Sequence, residues 1–97
     1  MTDIAVTAII TAKPGSESAV QAALTALVEP TRAEPGCVDY QLAVSSVDPA
    51  VFITTERWRT SSDVEAHLET EHVKTALDTA GEHLAVPPAI HPLTPLA

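Results

Sequence analysis

The sequence predicts an α+β domain of the ferredoxin-like type, in which helices cover one face of an antiparallel sheet. Residues 4–12 are rich in β-branched side chains with period-two alternation, which favours a strand. Apolar residues recur at helical spacing in residues 19–28 and again in residues 64–80. Between the two helices, residues 37–44 and 51–58 are close enough in sequence to pair as a hairpin. With a fourth strand in the C-terminal segment, the order is βαββαβ.

Turn and cap residues set the expected boundaries of the first half of the chain. Lys13-Pro14-Gly15 ends the first strand, and Ser16 is a candidate helix cap. Pro30 cannot donate a backbone N–H, so the first helix is expected to end or kink before it. In the second strand one face is expected to hold alternate residues, namely Val38, Tyr40, Leu42 and Val44.

The second half of the chain carries similar signals. Thr60, Ser61 and Ser62 are candidate helix caps, and Ser62 with Glu65 matches a capping box. A break is possible near Thr70, and Gly81 is a plausible helix end. Residues 84–97 contain four prolines, which exclude a central strand but allow an edge strand or an extended arm.

Bulk composition indicates one domain spanning residues 1–97. Acidic residues outnumber basic ones by 13 to 5, and the net charge of −8 argues against nucleic acid or an anionic membrane as the main partner. Cys37 is the single cysteine, so no intrachain disulfide can form, and it is predicted to be a small buried residue. No signal peptide is recognisable, and we expect a cytoplasmic protein. The third strand is apolar on both faces, which predicts a homodimer.

Several short motifs occur together at informative spacings: Lys13-Pro14-Gly15, Glu34-Pro35-Gly36-Cys37 with Tyr40, Asp48-Pro49, Glu56-Arg57-Trp58, and His67-Leu68 with His72. In order and spacing the chain resembles the antibiotic biosynthesis monooxygenase family over nearly its whole length. The resemblance implies a dimeric α+β barrel. It also implies, for several members, oxidation of quinol- or anthrone-like compounds by molecular oxygen without metal or flavin.

Other members of that family degrade haem or isomerise a phosphorylated signal molecule. The haem-degrading relatives use an iron-binding histidine at the position that best corresponds to Leu77, and leucine cannot bind iron. Their pocket tryptophan falls near His67. Basic partners for a phosphate are sparse. Both activities are therefore disfavoured, and no cofactor is expected.

The third strand supplies the first candidate site residues. Trp58 shares a strand face with Phe52 and Glu56. Trp58 is either a packing residue or an aromatic wall for a flat substrate, with Phe52 as a further contact. Glu56 either forms a salt bridge or acts in catalysis, by orienting a histidine or by taking a proton.

The histidines supply the second set. His67 is the candidate base, because it lies near an inward helical face and has a suitable pKa range. On a continuous helix His67 and His72 would lie about 140° apart, which is no i,i+4 metal pair, so no metal site is expected. His72 and Tyr40 are candidate substrate contacts.

These observations predict a cofactor-independent monooxygenase for a small phenolic, quinol or anthrone-like compound. Two rivals remain open: a dimeric module that binds a small hydrophobic molecule without turnover, and a purely structural dimer domain.

Overall fold

The computed structural model describes residues 3–97, so the first two residues of the segment inspected for a signal peptide lie outside it. The elements are β1 (Ile4–Thr11), α1 (Glu17–Arg32), β2 (Cys37–Val44), β3 (Val51–Trp58), α2 (Ser61–Leu68), α3 (Glu71–Ala80), a 3₁₀ turn (Gly81–His83) and β4 (Ala89–Leu93). The sheet is antiparallel with strand order β2-β3-β1-β4, and this confirms the predicted ferredoxin-like α+β fold.

The core lies between the sheet and the helices. Alternate residues of β1 and β3 point to the helical side and are buried, as period-two patterning requires. The buried residues of β1 and β3 are Val6, Ala8, Ile10, Phe52, Thr54, Glu56 and Trp58, and β2 adds Tyr40. The proline-rich segment forms β4 at the edge of the sheet beside β1, in the position that its prolines allow.

The prediction that the first helix ends or kinks before Pro30 was wrong about the ending. α1 includes Pro30 and continues to Arg32, and the N–H of Ala33 donates to Glu29 O at 3.2 Å. A proline in the last turn removes one N–H, that which would reach the carbonyl of Ala26, and leaves the rest of the helix intact. Because α1 continues to Arg32 with Ala33 as its C-cap, Glu34 is the first residue after the cap.

Two other local predictions also need correction. Of the three candidate caps Thr60 is the N-cap of α2, and its Oγ1 accepts from Asp63 N at 3.2 Å, so the capping box predicted at Ser62 is not the one that starts the helix. A β-bulge between Cys37 and Asp39 shifts the register, so Val38 is half-exposed and does not share the face of Tyr40.

The predicted break near Thr70 is confirmed. α2 ends at Leu68, and Thr70 caps α3 by accepting from Val73 N at 3.4 Å. The Thr70 hydroxyl also donates to the carbonyl of His67 at 2.7 Å, so the turn is closed on both sides. This break redirects the chain between two histidines.

The face of the sheet away from the helices carries apolar residues that no element covers. Ile9 pairs with Ile53 on β3 and with Ala89 on β4, and Leu93 is half-exposed beyond them. Within residues 3–97, no helix combines the length and the apolar character needed to cross a bilayer.

Gly36 is needed where the turn before β2 meets the start of α2. A Cβ built at Gly36 would lie 2.2 Å from Asp63 Cγ and 2.4 Å from Asp63 Cβ. A Cβ at Gly81 would meet nothing within 4 Å, and its backbone is already helical.

We therefore expect Gly36→Ala to lower the free energy of unfolding by about 1–3 kcal/mol, the usual cost of overpacking. Gly81→Ala is the matched control, and it should be neutral or stabilise by up to about 1 kcal/mol through the unfolded state. Urea denaturation of both variants measures this. If the two variants were equally stable, the close approach of Gly36 to Asp63 would not require a glycine at that position.

Candidate active site

A narrow cavity of about 60 Å³ lies between the sheet and the helices. Most of its wall is aliphatic and comes from β1, from β4 and the segment before it, and from all three helices. The aliphatic residues are Val6, Ala8, Ile10, Leu24, Leu27, Val64, Leu68, Val73, Leu77, Pro88 and Ile90. Four residues with polar side chains also line the cavity, namely Tyr40, Thr54, Glu56 and His67, but the surface that the wall presents is almost entirely apolar. An apolar cavity with a few convergent polar groups is the usual form of a small-molecule site.

His67 is held at the cavity wall by a carboxylate that is not its expected partner. His67 is in the last turn of α2 and is buried, and its Nδ1 lies 2.7 Å from Glu34 Oε2. An ionised carboxylate only accepts hydrogen bonds, so Nδ1 carries the proton and donates it. The neutral ring then has its lone pair on Nε2. Glu34 therefore fixes both the orientation and the tautomer of His67.

His72 reaches the same carboxylate oxygen from the other side. Its Nε2 lies 2.7 Å from Glu34 Oε2. The expectation that the two histidines diverge assumed a continuous helix, and the break at Thr70 invalidates it. His72 lies on the outer groove between α1 and α3 and is absent from the cavity wall, where a substrate contact was predicted.

Glu56 holds Trp58 instead of a histidine. Its Oε1 accepts from Trp58 Nε1 at 2.9 Å, and its Oε2 accepts from Thr54 Oγ1 at 2.5 Å. Thr54 Oγ1 in turn accepts from the backbone N–H of Ala8 at 3.0 Å, so its single proton is directed to Glu56. No arginine pairs with Glu56 among the described residues. These three hydrogen bonds together fix the positions of the Glu56 carboxylate and the Trp58 indole.

Trp58 and Phe52 lie deeper than the predicted substrate contacts would need. Trp58 is fully buried, and its ring stacks at 4.6 Å on the ring of His67, with an angle of 37° between the planes. Phe52 belongs to the main hydrophobic core. Neither residue lines the cavity. Trp58 therefore reaches the cavity wall only through its contacts with His67 and Glu56.

Tyr40 stays a neutral phenol in the folded protein. Burial raises the pKa of its hydroxyl strongly, and the nearby carboxylate of Glu56, its cross-strand partner, raises it further. Its ring lies 6.0 Å from that of His67. Tyr40 is therefore an uncharged residue of the cavity wall. Burial likewise raises the pKa of the Cys37 thiol, which argues against a reactive thiolate.

Glu34, His67 and His72 are also a set of potential metal ligands. One oxygen and two nitrogens from these side chains all lie within 4.8 Å of one another. The sequence prediction of no metal site assumed that the two histidines diverge on a continuous helix and did not consider Glu34.

Glu34 is the site residue that sequence reasoning missed. It stands within the Glu34-Pro35-Gly36-Cys37 motif, but no role was predicted for it. The available signal was an acidic residue between a helix end and a Pro-Gly turn. Such a residue is fixed in position by the backbone on both sides, with Glu34 N donating to Thr31 O at 3.0 Å and Cys37 N to Glu34 O at 3.1 Å.

Comparison with known proteins defines the family. The model of the antibiotic biosynthesis monooxygenase family matches residues 3–79, which is more than half of the chain. The chain therefore belongs to the antibiotic biosynthesis monooxygenase family, as the sequence motifs predicted.

Individual relatives cover nearly all of the chain. Rv0793 from Mycobacterium tuberculosis is 36% identical over 93 residues, which is 96% of this chain and 91% of the relative. The structure of PA3566 from Pseudomonas aeruginosa superposes with a TM-score of 0.91 at 36% identity, covering 100% of this chain and 97% of that one. A family member from Nitrosomonas europaea superposes with a TM-score of 0.89 at 26% identity, covering 97% and 99% respectively.

The raised pKa of Tyr40 leads to a prediction about alkaline stability. A folded-state pKa above the unfolded value contributes stability that is complete below the unfolded pKa, about 10 for tyrosine, and is lost as the pH rises past it. The free energy of unfolding should therefore fall above pH ~10, by up to about 1.4 kcal/mol per pH unit from this one group.

Tyr40→Phe should lack that component while keeping the ring buried. Lysines titrate in the same range and are common to both proteins, so the difference between the two denaturation curves isolates Tyr40. Tyr40 is also the only tyrosine, so phenolate absorbance reports on it alone. A phenolate signal at ordinary tyrosine pH in the folded protein would contradict the prediction.

Proposed function

We propose that this protein is a cofactor-independent monooxygenase, which oxidises a small phenolic, quinol or anthrone-like compound with molecular oxygen. The observation that carries the proposal is the pairing of His67 with Glu34 at the wall of an apolar cavity. The relative Rv0793 is named as a monooxygenase, which supports the same class of reaction.

The base in this mechanism is Nε2 of His67. Because Nδ1 donates to Glu34, Nε2 holds the lone pair and can take a proton from a phenol or an activated CH₂ group in the cavity. The imidazolium that forms is stabilised by the Glu34 carboxylate at 2.7 Å. A neutral Tyr40 at the same wall can donate a hydrogen bond to the substrate oxygen, where the negative charge develops.

The deprotonated substrate supplies the electrons for oxygen. An electron-rich anion passes an electron to O₂, and recombination forms a carbon–oxygen bond. Loss of water then converts an activated CH₂ to C=O, so that CH₂ and O₂ become C=O and H₂O without an external reductant. The protein contributes confinement, orientation and the base, and the aliphatic wall excludes water from the anion.

The cavity volume constrains the substrate and its entry. A cavity that binds benzene has a volume of about 150 Å³, and this one encloses about 60 Å³. An aromatic substrate therefore requires outward movement of wall residues. The half-exposed wall residues are Leu68, Leu77 and Ile90, and these are the ones free to move.

A homodimer is part of the proposal. The uncovered sheet face presents Ile9, Ile53 and Leu93, and a second copy covering this face would bury them in an α+β barrel.

The second candidate function is a module that binds a small hydrophobic molecule without turnover. The small, nearly all-aliphatic cavity favours this reading, because binding needs no base. Oxygen uptake with a panel of hydroquinones and anthrones, compared with ligand-induced thermal shifts, separates the two. Shifts without oxygen uptake would favour the binding module, and neither signal would favour a structural domain.

His67→Ala should lower turnover by roughly 10²–10⁴-fold, the usual contribution of a general base. Glu34→Gln should cause a smaller loss, because the base remains but its tautomer is no longer fixed. Trp58→Phe should lower turnover slightly through the position of His67. The matched control is His83→Gln, since His83 lies outside the cavity and bonds to Ser16. Oxygen consumption by folded variants measures these effects, and wild-type turnover by His67→Ala would exclude His67 as the base.

The dimer has its own test. Light scattering should give twice the 10.2 kDa chain mass, and Ile9→Lys should shift the protein to the monomer by placing a charge on the uncovered face. Val47→Lys is the control, because Val47 is almost fully exposed in the loop between β2 and β3. A wild-type monomer at micromolar concentration would refute the barrel.

A further inference from the structure

We propose that Glu34, His67 and His72 form a binding site for a divalent transition-metal ion. The proposal rests on the geometry of these three side chains and does not depend on the chain being an oxygenase. Oε2 of Glu34, Nδ1 of His67 and Nε2 of His72 are the donor atoms, and they lie within 4.8 Å of one another.

The two imidazole nitrogens point at one common position. Each lies within hydrogen-bonding distance of the same carboxylate oxygen, at 2.7 Å, so both nitrogens face the place that this oxygen occupies. An ion bound by nitrogen at about 2.0–2.1 Å would occupy almost the same place. Rotation of the Glu34 side chain makes room for the ion and keeps a carboxylate oxygen within reach.

The backbones that carry the three ligands are already fixed. The turn between α2 and α3 is closed by two hydrogen bonds to the carbonyl of His67, from Thr70 Oγ1 at 2.7 Å and from Thr70 N at 3.1 Å. Glu34 is fixed by the hydrogen bonds at the end of α1. Only side-chain movement is needed, so little conformational entropy is lost on binding.

The charge and exposure of the cluster favour a cation. In residues 3–97 the Glu34 carboxylate has ion pairs only with the two histidines, and no lysine or arginine lies within 4.0 Å of it. The exposed side-chain fractions are 6% for His67, 13% for Glu34 and 24% for His72. The ion would therefore be sheltered on the cavity side, with entry and water ligands from the groove beside His72.

The donor set selects the class of ion. Two imidazoles and one carboxylate suit Zn²⁺, Co²⁺, Ni²⁺ or Fe²⁺, whereas Mg²⁺ and Ca²⁺ prefer oxygen ligands. Three protein ligands leave at least one position for water, and this excludes a closed structural site.

Metal binding and proton transfer by His67 exclude each other. A neutral His67 bound to the ion through Nδ1 must move its proton to Nε2, and His72 likewise moves its proton to Nδ1. With Nε2 protonated, His67 has no lone pair for a substrate proton. The ion would therefore inhibit the proposed oxygenase.

The test uses the full chain, stripped with a chelator and titrated with ZnCl₂ in a non-chelating buffer by isothermal calorimetry. We expect one Zn²⁺ per chain and a melting temperature that rises with Zn²⁺ concentration. Co²⁺ titration should give d–d absorption of a nitrogen- and oxygen-bound ion. His72→Gln and Glu34→Gln should each weaken binding by at least about 100-fold, the upper end for loss of a mere supporting contact.

The double variant His83→Gln/His91→Gln is the matched control, because it removes the two histidines outside the cluster. It should bind Zn²⁺ like the wild type. Circular dichroism identifies variants that fail to fold, and His72→Gln, which changes a partly exposed side chain, keeps the test valid if Glu34→Gln does fail. Absence of stoichiometric binding would overturn the proposal, as would binding that survives His72→Gln or disappears in the control. Zn²⁺ binding without any oxygenase activity would still support the site, so the two proposals fail separately.

Discussion

One carboxylate oxygen, Oε2 of Glu34, joins the end of α1 to the turn between α2 and α3, more than 30 residues later in the chain. The end of α1, the end of α2 and the start of α3 meet at two hydrogen bonds of 2.7 Å. Hydrogen bonds to a charged group contribute about 1.5–3 kcal/mol each, and a buried partner left without one costs a similar amount. The orientation of His67, its stack on Trp58 and the shape of the cavity wall all follow from this contact.

The fold could be predicted from the sequence because its signals are local. Period-two alternation in β1 and β3, helical spacing in α1 and the prolines before β4 are each read within a few residues. The wrong predictions arose where a rule about residue type or spacing ignored the position of the residue within its helix or strand. Pro30 is tolerated since it lies in the last helical turn, and Val38 leaves its expected face because a bulge adds one residue to β2.

The site was less predictable, because its contacts are distant in sequence. His67 was recognised from its helical face, and its lining of the cavity agrees with that choice, although its role as a base stays a prediction. Its partner lies 33 residues earlier in the chain, and no spacing rule links the two. Glu56 was expected either to form a salt bridge or to act in catalysis, and its closest partners are Trp58 and Thr54, which project from the same face of the same strand.

The stack of Trp58 on His67 also gives this protein an internal optical probe. Trp58 is the only tryptophan of the chain, and its indole lies 4.6 Å from the imidazole of His67. All tryptophan emission therefore originates beside the site, from a ring that solvent does not reach. Any change in the charge or surroundings of His67 will alter the intensity or wavelength of that emission, so occupancy of the site can be followed in the unlabelled protein.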